Sequence, residues 1–443
     1  MRYRYLILGL ISALLFLSLA PSLSAQTSFY SQGNLDPTLL ASWNSIRMGG
    51  GSSPSDFTSA NQLFVVQNGH AMTASSLWAV SGTGSKVVIE TGGKILTGAF
   101  SHSITLDMES GAEYAIDHTG YGGVTVGLWD NNSTLRFTNN GVNFRAINHP
   151  NVIIDFTGTK SLSATLTVLG DFTKQNTGTF NIAGDSNPGT VNLGGALILN
   201  GGVFSTGNAA GTLNFTTSGK GSGDIIVTSG TLTLGTGTTD QIVIASGRTV
   251  GIQSDITMSS TATLSVDGQI TVNSGKKLTV NGPLGNAGTI TGPGTLQVEG
   301  DAGGSGEFTL PVVFAASGTQ RLSFNMNVTG NVTVNSGATV VNWDGYDYIL
   351  AVTGTLTNNG TLQDNTSGSL TVTVDGSVVN NGTWQNSTTN LTGTGNMSGT
   401  TSYGTNLVIG GNRTVSSDVT SHGDLTVDGV LHVSGSKMLE AMS

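Results

Sequence analysis

Three oxygen-bearing side chains, Asn342, Asp344 and Asp347, fall close together in "NWDGYDY" (Asn342 to Tyr348). Grouped around a Gly turn, they have the donor type and spacing of a calcium loop, so they are the candidate metal ligands of this chain and calcium is the candidate ion. An acidic turn without an ion is the plainer reading of the same residues. Trp343, Tyr346 and Tyr348 beside them offer ring faces on which a sugar can stack, or simply pack where a loop leaves the body of the fold. A second cluster, "EYAIDHTGYGG" (Glu113 to Gly123), combines Glu113, Asp117, His118 and Tyr121. Two carboxylates can divide the acid and base roles of a glycosidase or lyase, but a solvated turn has the same composition, and geometry rather than proximity in sequence makes a site.

Other chemistry is missing from the sequence. It contains no HExxH zinc motif, no P-loop and no GxSxG nucleophile elbow. With no Cys there is no thiolate nucleophile and no Cys-based metal site. Gly-rich strings such as "GKGSGD" (Gly219 to Asp224) lack the strand, loop and helix context of a phosphate cradle, and "GDAGGSGEF" (Gly300 to Phe308) is only a faint echo of a calcium-binding nonapeptide. The expectation is a protein that is not an enzyme and needs no cofactor, with calcium as the one candidate ion.

The elements that would hold these residues are legible in the repeats. "LSVDGQITVNSGKKLTVNG" (Leu264 to Gly282) aligns with "LTVDGVLHVSGSKMLEAMS" (Leu425 to Ser443), and "VDGSVVNNG" and "GTLTNNGTL" share the grammar. Self-similarity of this kind marks a stacked-repeat architecture. Within each copy, as in "LTVTV" (Leu370 to Val374), aliphatics alternate with Thr, the period-2 pattern of a strand with one buried face. Asn-Gly, Asp-Gly and Ser-Gly dipeptides end the runs, at Asn281-Gly282, Asp375-Gly376 and Ser434-Gly435. Two all-β readings compete. Asp-Gly is also a hairpin signal, which allows antiparallel β-sandwich modules. The core-facing residues, however, are mostly small aliphatics with few aromatics to fill a thick sandwich, and a β-solenoid, or parallel β-helix, needs only such stacks. The solenoid is preferred. With coils of about 20 to 25 residues rising about 4.8 Å each, the chain would form a rod on the order of 80 to 100 Å long. Outward Thr rows such as "TLTLGTGTT" (Thr231 to Thr239) could make a flat hydroxyl ladder of the ice-binding kind, although Thr is also an ordinary exposed strand residue.

Composition gives the address. The N-terminus, "MRYRYLILGLISALLFLSLAPSLSAQ", carries Arg2 and Arg4, an apolar stretch and small residues ending at Ala25, the pattern of a secretory signal peptide over residues 1–25. The apolar run is too short to span a bilayer, and no later segment spans one. Cleavage removes two arginines and no acid, moving the net charge from −10 to −12. With basic residues scattered singly apart from Lys276-Lys277, nucleic acid is excluded as a partner. Export without disulfides calls for another stabilising device, which a long hydrogen-bonded sheet supplies. The expected localisation is secreted, at the cell surface, with an extracellular glycan or a surface protein as the partner class. Ligand identity and oligomeric state are not written in the sequence.

Along the chain, residues 26–60 read as an N-terminal cap, with "LDPTLLASWNS" offering Asp36 and Pro37 for one helical turn. Residues 61–160 are β-rich but less regular. Residues 161–443 form the Thr/Gly/Asn-rich repeats, and the last copy stops in mid-pattern at "KMLEAMS", as a truncated piece of a longer protein would.

The stretch "ASWNSIRMGGGSSPSDFTSANQLFVVQNGHAMTASSLWAVSGTGSKVVIETGGKILTG" (Ala41 to Gly98), followed by the "VDG" and "NNGTL" rungs, resembles the Gly/Thr-rich β-helical surface proteins that Gram-negative bacteria export by type IX secretion. Trp43, Gly69 and Gly92-Gly93 are similar to the pattern of a G8-type β module, and the rungs more loosely resemble haemagglutinin-like adhesins. The resemblance implies an adhesin-like or structural stalk. It implies no active site, and the C-terminal sorting domain usual in that type is missing here. The rival expectation is a polysaccharide-active β-helix enzyme working near Glu113 to Tyr121.

Overall fold

A computed structural model describes residues 26–441 apart from 238, 316 and 405, so the signal peptide expected at residues 1–25 lies outside the described residues. The chain is all-β, only 1% helical, and its parallel strands stack into a β-solenoid of about 19 turns. The described residues divide into two compact units, one of residues 26–112 with Gly122–Trp129, the other of Glu113–Tyr121 with residues 130–441.

In the first unit, Thr27–Ser31, Gln62–Val66, Lys86–Ile89, His102–Met108 and Val124–Trp129 pair in parallel, each with the next. Their register stacks Phe29 on Phe64, Phe64 on Val87 and Val87 on Leu106, all buried. Residues 26–60 supply the strand Thr27–Ser31 and a short antiparallel partner, Trp43–Asn44. The helical turn expected at Pro37 is instead a 3-10 turn at Leu40–Ser42. Asp36 is spent on an Asx-type turn, accepting from the Thr38 N–H at 2.9 Å and its hydroxyl at 2.8 Å, while the Pro37 carbonyl accepts from Trp43 Nε1 at 2.9 Å. Trp43 is fully buried there, edge-on to Phe64 at 5.2 Å and stacked on Trp78 at 5.8 Å. Buried ring pairs of this kind add specific geometry to a large apolar burial.

In the second unit a typical turn has three strands. Ala262–Val266, Gln269–Val272 and Lys277–Val280 make one turn, followed by Leu284–Asn286, Thr289–Thr291 and Thr295–Val298. Leu264 pairs with Leu284, Ile270 with Ile290 and Leu278 with Leu296, 20, 20 and 18 residues on respectively, so three aliphatic rows run through the interior. Each buried aliphatic contributes roughly 1.5 to 3 kcal/mol, which a thin core accumulates row by row. The dipeptides that read as hairpin turns are corners between sheets. Asp267-Gly268 joins two strands that pair forward to the next turn instead of with each other. Gly is required where successive corners touch: a Cβ on Gly288 would lie 1.9 Å from the Gly268 carbonyl oxygen.

Polar groups that face inward bond along the stack. Asn358 Nδ2 donates to Asn380 Oδ1 at 3.0 Å and to the Thr383 carbonyl at 2.9 Å, making a buried amide ladder between turns. Arg413, fully buried, donates through Nη2 to the carbonyls of Val374 at 2.7 Å and Asp375 at 3.2 Å, and through Nη1 to that of Gly376. Such bonds offset the cost of burying these groups. Among the described residues no helix is long and apolar enough to cross a membrane.

Candidate functional site

The strand Ala338–Asn342 ends on a residue that turns inward. Asn342 is fully buried, and its Nδ2 donates to the carbonyls of Tyr346 at 2.8 Å, Ser367 at 3.0 Å and Trp343 at 3.2 Å. Its Oδ1 accepts from the Asn365 N–H at 2.7 Å. The amide is thus consumed in closing the turn, and residues 343–347 are looped outward, with Gly345 at a φ of 80°. The two carboxylates of this candidate metal loop face solvent and tie down the next turn of the solenoid. Asp344 accepts from the Thr366 hydroxyl at 3.1 Å, and one oxygen of Asp347 accepts from the Ser369 N–H and hydroxyl, both at 2.8 Å. The structure therefore does not bring Asn342 to the outer face that Asp344 and Asp347 share. Among the described residues no three His, Asp or Glu side chains gather as a metal-binding group.

The same outward loop carries rings. Trp343 is 41% exposed and Tyr346 60%, whereas Trp43, Trp78 and Trp384 are at most 1% exposed. Tyr346 stacks on Tyr348 at 6.0 Å between centroids, and Phe324, 56% exposed, lies 6.4 Å from Tyr348. The Arg321 guanidinium sits 5.8 Å from the Trp343 ring centroid, and the backbone N–H of Arg321 donates to Asp301 at 2.9 Å. Trp343, Tyr346 and Tyr348 wall a surface recess of about 520 Å³ whose floor includes Gly285, Asp301 and Ser323. Sequence reasoning picked out the three aromatic residues of the loop but missed Phe324, Arg321 and Asp301. Only the register joins those to the loop: Leu322 pairs with Asn342, and Ala302 with Leu322.

The second sequence cluster separates into different partnerships. Glu113 is held by Arg136 at 2.7 Å, and Arg136 also reaches Asp155 at 3.0 Å, an ion ladder across three strands. These acids raise the guanidinium pKa further. Asp117 accepts from the Thr138 hydroxyl at 2.9 Å. His118 is buried, accepts from the Gly120 N–H at 3.2 Å, and has its pKa lowered by desolvation. Tyr121 points inward to His149, with its hydroxyl 2.5 Å from Nε2, while His149 Nδ1 lies 3.0 Å from the Thr167 carbonyl. That carbonyl can only accept, so Nδ1 carries the proton and Nε2 accepts from Tyr121. Burial holds the imidazole neutral, pushing its pKa down to about 4, and pushes the Tyr121 hydroxyl up to about 12. The acid and base proposed for catalysis therefore have separate partners, Arg136 for Glu113 and Thr138 for Asp117.

The Thr rows are interrupted as well. On the strand Ile225–Thr233, Thr233 pairs with Ser205 but Thr231 pairs with Val203, which breaks the run of hydroxyls.

The fold and these surfaces define a stacked-rung, β-helical repeat protein. No protein-family model, curated protein or solved structure matches the chain.

Proposed function

We propose that this protein is a secreted component of a bacterial cell surface, an adhesin-like or structural stalk whose work is reach and display. The observation that carries the proposal is the contrast between the two faces of its strands. Inside are closed aliphatic rows. Outside, uncharged hydroxyls and amides succeed one another, with Thr271 beside Thr291, Thr333 beside Thr357 and Thr373 beside Asn390. Such a surface is hydrated without being strongly charged, and it offers contact along its length instead of one reaction centre. The signal pattern at residues 1–25 supports export, and the partner class is an extracellular glycan or surface protein.

The test is made on cells that express the protein. Antibodies raised against the folded chain should label intact cells, and deleting the gene should reduce attachment to a glycan-coated surface several-fold, with recovery on complementation. Labelling that requires permeabilised cells would contradict the proposal, as would a deletion strain that attaches like its parent.

A further inference from the structure

We infer that the recess walled by Trp343, Tyr346 and Tyr348 binds a neutral polysaccharide chain lying along the stacking direction of the solenoid. The inference rests on the surface-display reading and gives it a site. Exposed rings are the first observation. In a chain whose other large aromatics mostly fill the interior, Trp343 and Tyr346, 41% and 60% exposed, line one hollow, and Phe324, 56% exposed, lies 6.4 Å from Tyr348 at its side. Exposing that much ring surface has no folding benefit, and an apolar patch kept on the surface marks a binding site.

The shape of the hollow is the second observation. Ser265 pairs with Gly285 and Gly285 with Gly303, and the same outward column continues through Ser323 to Trp343. Small residues on four successive turns thus make a trough that is open at Gly285 and covered at Gly303 by the Phe324 ring, and Trp343, on the fifth, rises at its end. Five rungs at strand spacing span roughly 19 Å, a length that suits several linked sugars.

The chemistry of the lining selects the ligand. Ring faces carry a negative quadrupole and attract the C–H face of a pyranose. Asp301, Ser323 and Thr263 supply a carboxylate and hydroxyls beside the rings, the few convergent polar groups that orient a ligand. Arg321 balances Asp301, at 3.9 Å, so the recess has no excess charge to recruit an acidic chain. An apolar helix of a protein partner would need a continuous aliphatic groove, whereas here Pro283 and Leu284 are interrupted by Thr263, Gly285, Asp301 and Ser323.

Gly285 makes the inference testable without disturbing the core. A Cβ there meets only the Leu264 carbonyl oxygen, at 4.0 Å, and projects into the trough. The secreted chain, starting at Gln26, is run in native gels containing hydroxyethyl cellulose, galactomannan, xylan, laminarin, alginate or casein. Retardation by at least one neutral polysaccharide is expected. The apparent affinity should fall tenfold or more in W343A, Y346A and G285V, each with unchanged circular dichroism and thermal midpoint. Equal retardation of all variants would overturn the assignment to the recess while leaving glycan contact elsewhere on the surface. No retardation by any neutral polysaccharide, or retardation by alginate or casein alone, would overturn the ligand class. Both failures leave the display reading to be decided by the intact-cell labelling and attachment test.

Discussion

At the scale of single residues, the buried polar groups carry the sharpest consequences. His149 is neutral in the folded chain with a pKa near 4, against about 6.5 when unfolded. Its contribution to stability is therefore complete above pH 6.5 and is lost as pH falls towards 4, because the unfolded chain binds the proton that the folded chain refuses. The difference amounts to about 3 kcal/mol. His118 is shifted in the same direction. Carboxylates with lowered pKa, such as Glu90 beside Arg47, add their own loss below the ordinary carboxylate range. Urea midpoints measured from pH 4 to 7 should accordingly rise with pH, and H149Q should have a flatter profile than the parent over this range. A parallel profile would show that His149 does not titrate as described. Asn342 gives a second residue-scale prediction. Asn342→Ala leaves buried carbonyls and the Asn365 N–H without partners, and should cost about 2 to 3 kcal/mol, read as a lower thermal midpoint together with a changed Trp343 fluorescence.

The element scale shows what the sequence made legible. Alternation in "LTVTV" predicts the buried Leu370, Val372 and Val374, and the intervening Thr lie towards solvent. What alternation cannot reveal is the partner strand. In this fold the partner of Leu284 is Ala302, 18 residues on, and that of Val340 is Leu362, 22 residues on. Because the step varies, residues from neighbouring turns cannot be aligned by counting, and Phe324 and Asp301 stayed invisible beside Trp343. Asn342 shows the other limit. As a ligand type in an acidic turn it reads outward, but strand parity puts it on the inner face, where its amide serves the backbone. The Gly-containing dipeptides likewise mark a change of direction without saying whether a hairpin or a corner follows. The corner reading yields a contrast between two glycines of one turn, Gly285 on a strand and Gly288 at the corner after it. Gly288→Val drives a Cβ against the Gly268 carbonyl oxygen and should destabilise by about 1 to 3 kcal/mol. G285V, on an open strand surface, should change stability by less than about 0.5 kcal/mol. Thermal midpoints of the two variants check this, and equal losses would contradict the corner geometry.

At the scale of the whole molecule, stability in a stack is close to a sum over turns and their interfaces. Removing residues 264–283, one complete step of the register from Leu264 to Leu284, should therefore leave a chain that still folds, with a smaller dependence of unfolding on urea because less surface is exposed. Removing half that length shifts the corners out of line and should prevent folding of the turns around it. The same additivity suits a stalk, whose reach can change turn by turn without rebuilding a reaction centre. The measurement that tests this account most directly incubates the chain from Gln26 onward with surface-bound neutral polysaccharides and follows bound protein and new reducing ends in the same wells. The account predicts saturable retention with no new chain ends, however long the incubation. Steady release of ends, abolished by Asp117→Ala, would contradict it and make the protein an enzyme.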